Sequence, residues 1–418
     1  MKADIKIFTD DIEGQALDQC YTIAKSPAFE NAKIRIMPDV HAGKGCVIGF
    51  TAKGMTRLIP NLVGVDIGCG MLTVELLADN IDLAALDNAI NKVVPAGFDV
   101  HDAESRHAEV FLDQLRCRDH IKNESHLLCS LGTLGGGNHF IEVDKDENGH
   151  LYLIIHTGSR NLGLQVANIY QDMAIKHCSG TDRGAINALI AGLKAQGRQS
   201  EIAERLRELK AQTPRVPADL AWCSEADSKD YLHDAWVATQ FAEANREAIA
   251  SAILAATGIP AGKKFHTIHN YVDMTDPDDP VIRKGAICAE KDKPLLIPLN
   301  MRDGCILGRG LGNKDWNCSA PHGAGRAMSR SAAKASISLE DFVQSMAGIY
   351  STSVCPSTID ESPFAYKDAG SILERVQETV SVEHRLKPIY NFKAHGTSAE
   401  RWLARILSAA TPLPHVRR

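Results

Sequence analysis

Short apolar runs that end in glycine-rich polar turns fill the first part of this chain, to about residue 165, and they leave few architectures open. Ile34-Arg35-Ile36-Met37, Cys46-Val47-Ile48-Gly49-Phe50, Met71-Leu72-Thr73-Val74-Glu75-Leu76 and Leu151-Tyr152-Leu153-Ile154-Ile155 are too short for buried helices and read as strands. Helical stretches at about 81–94 and 104–117 interrupt them. Residues 184–211 and 230–257 then carry Ala, Leu, Glu, Lys and Arg at helical spacing, the second ending at Gly258 with Pro260 just beyond. Strand-like runs return at about 281–309, clearest in Leu295-Leu296-Ile297-Pro298-Leu299, and helices are expected at 338–348 and 368–379. Strands and helices that segregate rather than alternate predict an α+β class. We expect a single large domain over 1–393, with a mainly helical insertion at about 178–257. A separate tail, 394–418, holds a short helix from Ala399 to Ala410 with Trp402, Leu403, Ile406 and Leu407 on one side.

Composition narrows the function. With 44% hydrophobic and 23% charged residues in 418, the chain can bury a full core. A net charge of −6 argues against holding nucleic acid by bulk positive charge, so any RNA contact needs a local basic surface. The eleven cysteines are odd in number and no pair has C-x-x-C spacing, which points to a reducing compartment, the cytoplasm, and away from a disulfide framework. The N-terminus has no signal-like apolar region, and no apolar stretch is long enough to span a membrane.

Five of the polar turns carry residues suited to metal or phosphate chemistry, each beside glycine that lets backbone approach a ligand. Pro38-Asp39-Val40-His41-Ala42-Gly43-Lys44-Gly45 groups a carboxylate, an imidazole and an ammonium, though a polar turn satisfied by Asp39 has the same pattern. In Gly64-Val65-Asp66-Ile67-Gly68-Cys69-Gly70-Met71, Asp66 and Cys69 can share a divalent ion; a structural cysteine beside a turn-forming aspartate is the plainer alternative. Gly132-Thr133-Leu134-Gly135-Gly136-Gly137-Asn138-His139 lacks the Gly-Lys-Ser/Thr ending of a Walker loop, yet its backbone N–H groups suit phosphate and His139 suits a metal. His156-Thr157-Gly158-Ser159-Arg160 ends a buried strand with an arginine fit for bidentate phosphate recognition. His322-Gly323-Ala324-Gly325-Arg326 places an imidazole ahead of an expected helix and two arginines, Arg326 and Arg330. His269-Asn270 adds one more ligand and an amide. Together they form the inventory of a two-ion site acting on phosphates; five unrelated core turns would be a less economical account.

The motifs PDVHAGKG, VGVDIGCGM, GTLGGGNHF, HTGSRNLG, HNYV, RGLGN and HGAGRAMSR, in this order, resemble the RtcB family of RNA-splicing ligases, over residues 1–393. The resemblance implies an α+β fold around a deep metal-containing cleft. It implies two manganese ions, one on Asp66, Cys69 and His139 and one on Cys69, His156 and His269. It implies GTP as cofactor, held by Asn138, His139, Phe140, Ile141, Glu142, His269, Asn270, Asn300, His322, Gly323, Ala324, Gly325 and Lys393. His322 is then a guanylylated nucleophile, with Asp39, Arg160 and Arg326 in support. The substrates are RNA ends, a 3′-phosphate or 2′,3′-cyclic phosphate on one side and a 5′-hydroxyl on the other, in tRNA splicing or RNA repair, with room for an activating protein partner. Asn300 departs from the serine common in the family, and the tail after Lys393 extends past the family's usual end. A metal-dependent phosphoesterase that opens cyclic phosphates without sealing needs the same metal ligands but not His322. An RNA-binding protein without catalysis would need none of them.

Overall fold

The computed structural model describes residues 3–179, 183–212 and 216–395, so nearly all of the tail, with its expected helix at 399–410, lies outside the described residues. The fold is mixed α+β. Its strands are β1 (Asp4–Ile7), β2 (Lys33–His41), β3 (Ile48–Lys53), β4 (Gly70–Leu76), β5 (Phe140–Lys145), β6 (Leu151–Thr157), β7 (Ala261–Ile268), β8 (Asn270–Asp273), β9 (Val281–Lys284), β10 (Ala286–Cys288), β11 (Pro294–Asn300), β12 (Gly304–Gly310), β13 (Ser319–Pro321) and β14 (Val380–Phe392). A seven-stranded antiparallel sheet runs β11-β12-β14-β5-β6-β4-β7, a five-stranded one runs β1-β2-β3-β9-β8, and β10 pairs with β13. Only β1 and β2 pair in parallel among the described strands.

The inner strands β4, β5 and β6 are largely buried on both sides because both faces of the large sheet are covered there. On β4, Leu72, Val74 and Leu76 join a core with Leu86, Ile90, Ile249 and Ile253, while Met71 faces a second core with Phe140, Ile154 and Leu296. Among the strands that the sequence does not mark are β7 and β14. β7 is largely exposed along its first half. β14 is largely exposed along its first half and carries Pro388, an unfavourable residue inside a sheet; the proline sits where the pairing with β5 is irregular, so the ladder tolerates it.

The expected helices are present at Leu83–Val93, Arg106–Gln114, Arg183–Ala195, Ile202–Gln212, Leu339–Ser345 and Ala369–Val376. The longest spans Glu225–Thr257. The Ser224 hydroxyl caps its start by accepting from the Asp227 N–H, and Gly258, at φ 69°, ends it in the left-handed region. Its inner face carries Phe241, Ala242, Asn245, Arg246, Ile249 and Ile253, all buried, against the strands β4 and β6. No helix among the described residues is long and apolar enough to cross a membrane.

Ile249 is fully buried in the core between this helix and the large sheet. Ile249→Ala should lower stability by about 2–5 kcal/mol, the usual result of a buried large-to-small change. A denaturant midpoint indistinguishable from that of the unaltered chain would contradict this packing.

Candidate active site

The polar turns converge at one end of the large sheet. Cys69 directly precedes β4, and its carbonyl accepts from the His269 N–H (2.9 Å) in the turn between β7 and β8. His156, near the end of β6, lies beside Met71 of β4 on one side and Phe140 of β5 on the other. His139 directly precedes β5. Antiparallel register therefore brings residues far apart in sequence to one point.

There, Cys69 Sγ lies 3.3 Å from His156 Nε2 and 3.6 Å from His139 Nε2, and His139 Nε2 lies 3.1 Å from Asp66 Oδ2. Two triads, Cys69–His156–His269 and Asp66–Cys69–His139, each keep their ligand atoms within 4.8 Å of one another and share the thiol. All but Asp66 are buried. The donor set fits divalent ions. His139 directs Nδ1 at the Leu134 carbonyl (2.9 Å), which fixes the tautomer that leaves Nε2 as a lone-pair donor. Burial, with neighbouring imidazoles, pushes the pKa of His156 well below its ordinary value and holds the ring neutral. Burial and the adjacent His322 do the same for His269. Burial and the Asp66 charge push the Cys69 thiol up and keep it protonated, so a cation binding there would have to displace that proton. Burial works to raise the Asp66 carboxyl, but the hydrogen bond and charge of His139 outweigh it and the net shift is downward.

His322 follows β13 directly. Its ring packs 4.9 Å from that of His269, continuing a file of imidazoles through His156 to His139. Asp39, fully buried on β2, takes the His322 N–H (3.1 Å) and His322 Nδ1 (2.6 Å) on one carboxylate oxygen. Gly325 seals this junction: its φ is +73°, and a Cβ there would stand 2.3 Å from the Asp39 carbonyl oxygen. The helix expected just after His322 begins only at Arg330, so no helix N-terminus adjoins the imidazole.

A cavity of about 340 Å³ opens beside His322. Asn138, Phe140, Glu142, Asn300, Gly323, Ala324, Gly325, Arg326 and Lys393 line it, whereas Ile141 turns into the opposite core. Asp66, Cys69, His269 and Asn270 line a neighbouring cavity of about 260 Å³ that also reaches His322 and Asn138. Arg160 is spent elsewhere, donating to Thr133 Oγ1 and the Gly97 carbonyl. The Asn300 side chain is satisfied within its own turn, accepting from Arg302 and Asp303 N–H and donating to Asp303. The basic residues of the larger cavity are compensated: Arg330 and Lys393 both bind Glu361, and Arg326 donates to the Asp360 carbonyl.

Several residues here carry no sequence signal of their own. Asp144 and Cys305 join Glu142 in a fully buried group, with Cys305 Sγ donating to Glu142 (3.2 Å) and Asn391 donating to its other oxygen (2.7 Å). Burial pushes both carboxyls up, Asp144 well above its ordinary range because Glu142 adds a second negative charge. Glu361 and Asn391 also line the cavity, next to Tyr366, whose Ala365-Tyr366-Lys367-Asp368 stretch fits the family resemblance. Asp144, Cys305 and Asn391 become visible only when β5, β12 and β14 are known to be neighbours.

A buried thiol, three imidazoles and a carboxylate form two groups able to hold a metal ion, beside a cavity with a carboxylate-held histidine. The chain matches the family model described as tRNA-splicing ligase RtcB over residues 19–394. It is 32% identical to the RNA-splicing ligase RtcB of Escherichia coli K12, covering 93% of this chain and 96% of that protein. It is 27% identical to RNA-splicing ligase RtcB2 of a second E. coli strain and 26% identical to the tRNA-splicing ligase RtcB of Nanoarchaeum equitans, with coverage above 90% on both sides. The chain belongs to the RtcB family of RNA ligases.

The Asp144 carboxyl gives a pH test. A carboxyl raised by folding contributes its stability below the ordinary carboxylate range and loses it as pH climbs toward the raised value. Asp144→Asn, which cannot ionise, should match the unaltered chain near its ordinary value of 3.8 and gain on it as pH rises. The gain in melting temperature should reach on the order of a few degrees at alkaline pH. A gap that is constant or shrinks with pH would contradict a neutral Asp144.

Proposed function

We propose that this chain is a GTP- and manganese-dependent RNA ligase that joins a 3′-phosphate end to a 5′-hydroxyl end through a guanylylated His322. The observation that carries the reading is the 2.6 Å contact between Asp39 Oδ2 and His322 Nδ1. With Nδ1–H committed to a buried carboxylate, Nε2 keeps its lone pair and is the nucleophilic atom. Nε2 attacks the α-phosphorus of GTP, and pyrophosphate leaves with the electrons of the broken P–O bond. The substituted imidazole is cationic, and the Asp39 carboxylate beside Nδ1–H stabilises that charge.

An oxygen of the RNA 3′-phosphate then takes the GMP and frees the imidazole. The 5′-hydroxyl oxygen of the second strand attacks the activated RNA phosphorus, loses its proton, and GMP departs. A 2′,3′-cyclic phosphate first takes up water across its P–O2′ bond to give the 3′-phosphate. Manganese ions on Asp66, Cys69 and His139 and on Cys69, His156 and His269 supply, when bound, positive charge that offsets the phosphate oxygens. Phe140, Glu142, the His322–Gly325 turn and Lys393 form the nucleotide pocket. Asn300 is the weakest member of that set, because its amide must leave its own turn before it can reach a nucleotide.

Two oligonucleotides, one ending in a 3′-phosphate and one starting with a 5′-hydroxyl, test the reading in the presence of GTP and manganese. His322→Ala should abolish sealing while leaving metal content unchanged. Asp39→Asn, which keeps the shape but loses the charge, should slow it by about 10²–10⁴-fold, as when a buried aspartate behind a catalytic histidine is neutralised. Sealing that survives in His322→Ala would overturn the mechanism; ring opening without sealing in the unaltered chain would favour a phosphoesterase.

A further inference from the structure

The helix Glu225–Thr257 places two consecutive polar residues, Asn245 and Arg246, behind the metal-ligand turns, and both are fully buried. Asn245 Oδ1 accepts from the N–H groups of Gly132 (2.7 Å) and Thr133 (3.0 Å). Its Nδ2 donates to the carbonyls of Thr133 (3.0 Å) and Gly158 (3.2 Å). Arg246 Nη1 donates to the carbonyls of Gly68 (2.9 Å) and Thr157 (2.8 Å), and Nε to His266 Nδ1 (3.2 Å). Gly68 adjoins Cys69 and Thr157 adjoins His156. Thr133 adjoins Leu134, whose carbonyl fixes His139 Nδ1. His266 stands three residues before His269 on the strand that leads to it.

We propose that Asn245 and Arg246 are positioning residues of the metal centre, stapling the turns that carry Cys69, His139 and His156 into one rigid body. This rests on the metal sites given under the proposed function. Turn carbonyls buried away from water need donors, and here one guanidinium and one amide supply them to three turns at once. Close approach of the helix makes the arrangement rigid. At Gly68 (φ +75°) an added Cβ would stand 2.7 Å from the Thr239 Cα of the same helix. A ligand set held this way does not have to be ordered when an ion binds, which is how groups behind a metal's ligands raise affinity.

The test is manganese affinity of the metal-free full chain by calorimetry, with cobalt absorption as a second readout, since the thiolate-to-cobalt band reports whether Cys69 and its imidazoles close on the ion. Arg246→Met and Asn245→Asp should each weaken manganese binding by about ten- to a hundredfold, the usual effect of removing a group that supports a ligand, and should weaken the cobalt band. Arg246→Lys should recover most of the affinity, because an ammonium can still donate to both carbonyls. Ile249→Ala, on the same helix but away from the turns, should lose stability and keep its metal affinity. Wild-type affinity in folded Arg246→Met would overturn the proposal, and so would wild-type affinity in Asn245→Asp where Arg246→Met does not fold. An equal loss of affinity in Ile249→Ala would also overturn it, by reducing the effect to general destabilisation. If the unaltered chain binds neither cation, the metal centre itself fails, and the inference with it.

Discussion

The thiol of Cys69, buried 3.3 Å from one imidazole and 3.6 Å from another, is the point on which the rest of the molecule turns. Bringing a carboxylate, a thiol and three imidazoles together out of water costs free energy that hydrogen bonds within the group do not recover. His156 and His269 each keep a buried Nδ1 without a partner. The surrounding fold bears that cost. Four strand ends, two glycine turns and one long helix hold the ligands where a cation would compensate them. This is the expected pattern of a functional site, where local preferences are broken and the scaffold compensates.

The same logic extends to His322. Asp39 lies on β2 of the smaller sheet, His322 follows the short strand β13, and His269 joins β7 of the large sheet to β8 of the smaller one. The contact between Asp39 and His322 therefore ties together parts of the chain separated by 283 positions. Gly325 permits it, since any side chain there would collide with the Asp39 backbone. His322 is thus fixed from one side by a carboxylate and packed on the other against His269, with the cavity in front of it.

Much of this was legible in the sequence because its signals are local. The apolar run at 71–76 marks β4, the Gly258 stop marks the end of the long helix, and the glycine-flanked His, Cys and Asp residues are each marked as candidate ligands, which the family resemblance sorts into two triads. What was not legible depends on neighbours that only the fold supplies. Asn245 and Arg246 look like ordinary polar residues of a helix, and nothing in the 230–257 pattern says that they face the ligand turns. Asp144 reads as one polar residue of a strand until β12 brings Cys305 close to its neighbour Glu142. β14 hides behind Pro388 and a run of charged residues, yet it is the strand that joins the two halves of the large sheet. Resemblance to a family supplied RNA, GTP and manganese; the residues themselves supplied phosphate, metal and a nucleophilic imidazole.

The most direct test of the central claim is to incubate the full chain with α-labelled GTP and manganese, denature it, and locate the label by peptide mapping. The account predicts acid-labile GMP on the peptide that carries His322, and none when manganese is withheld. Label on a different residue such as Lys393, or no label in protein shown to hold both metal ions, would contradict it.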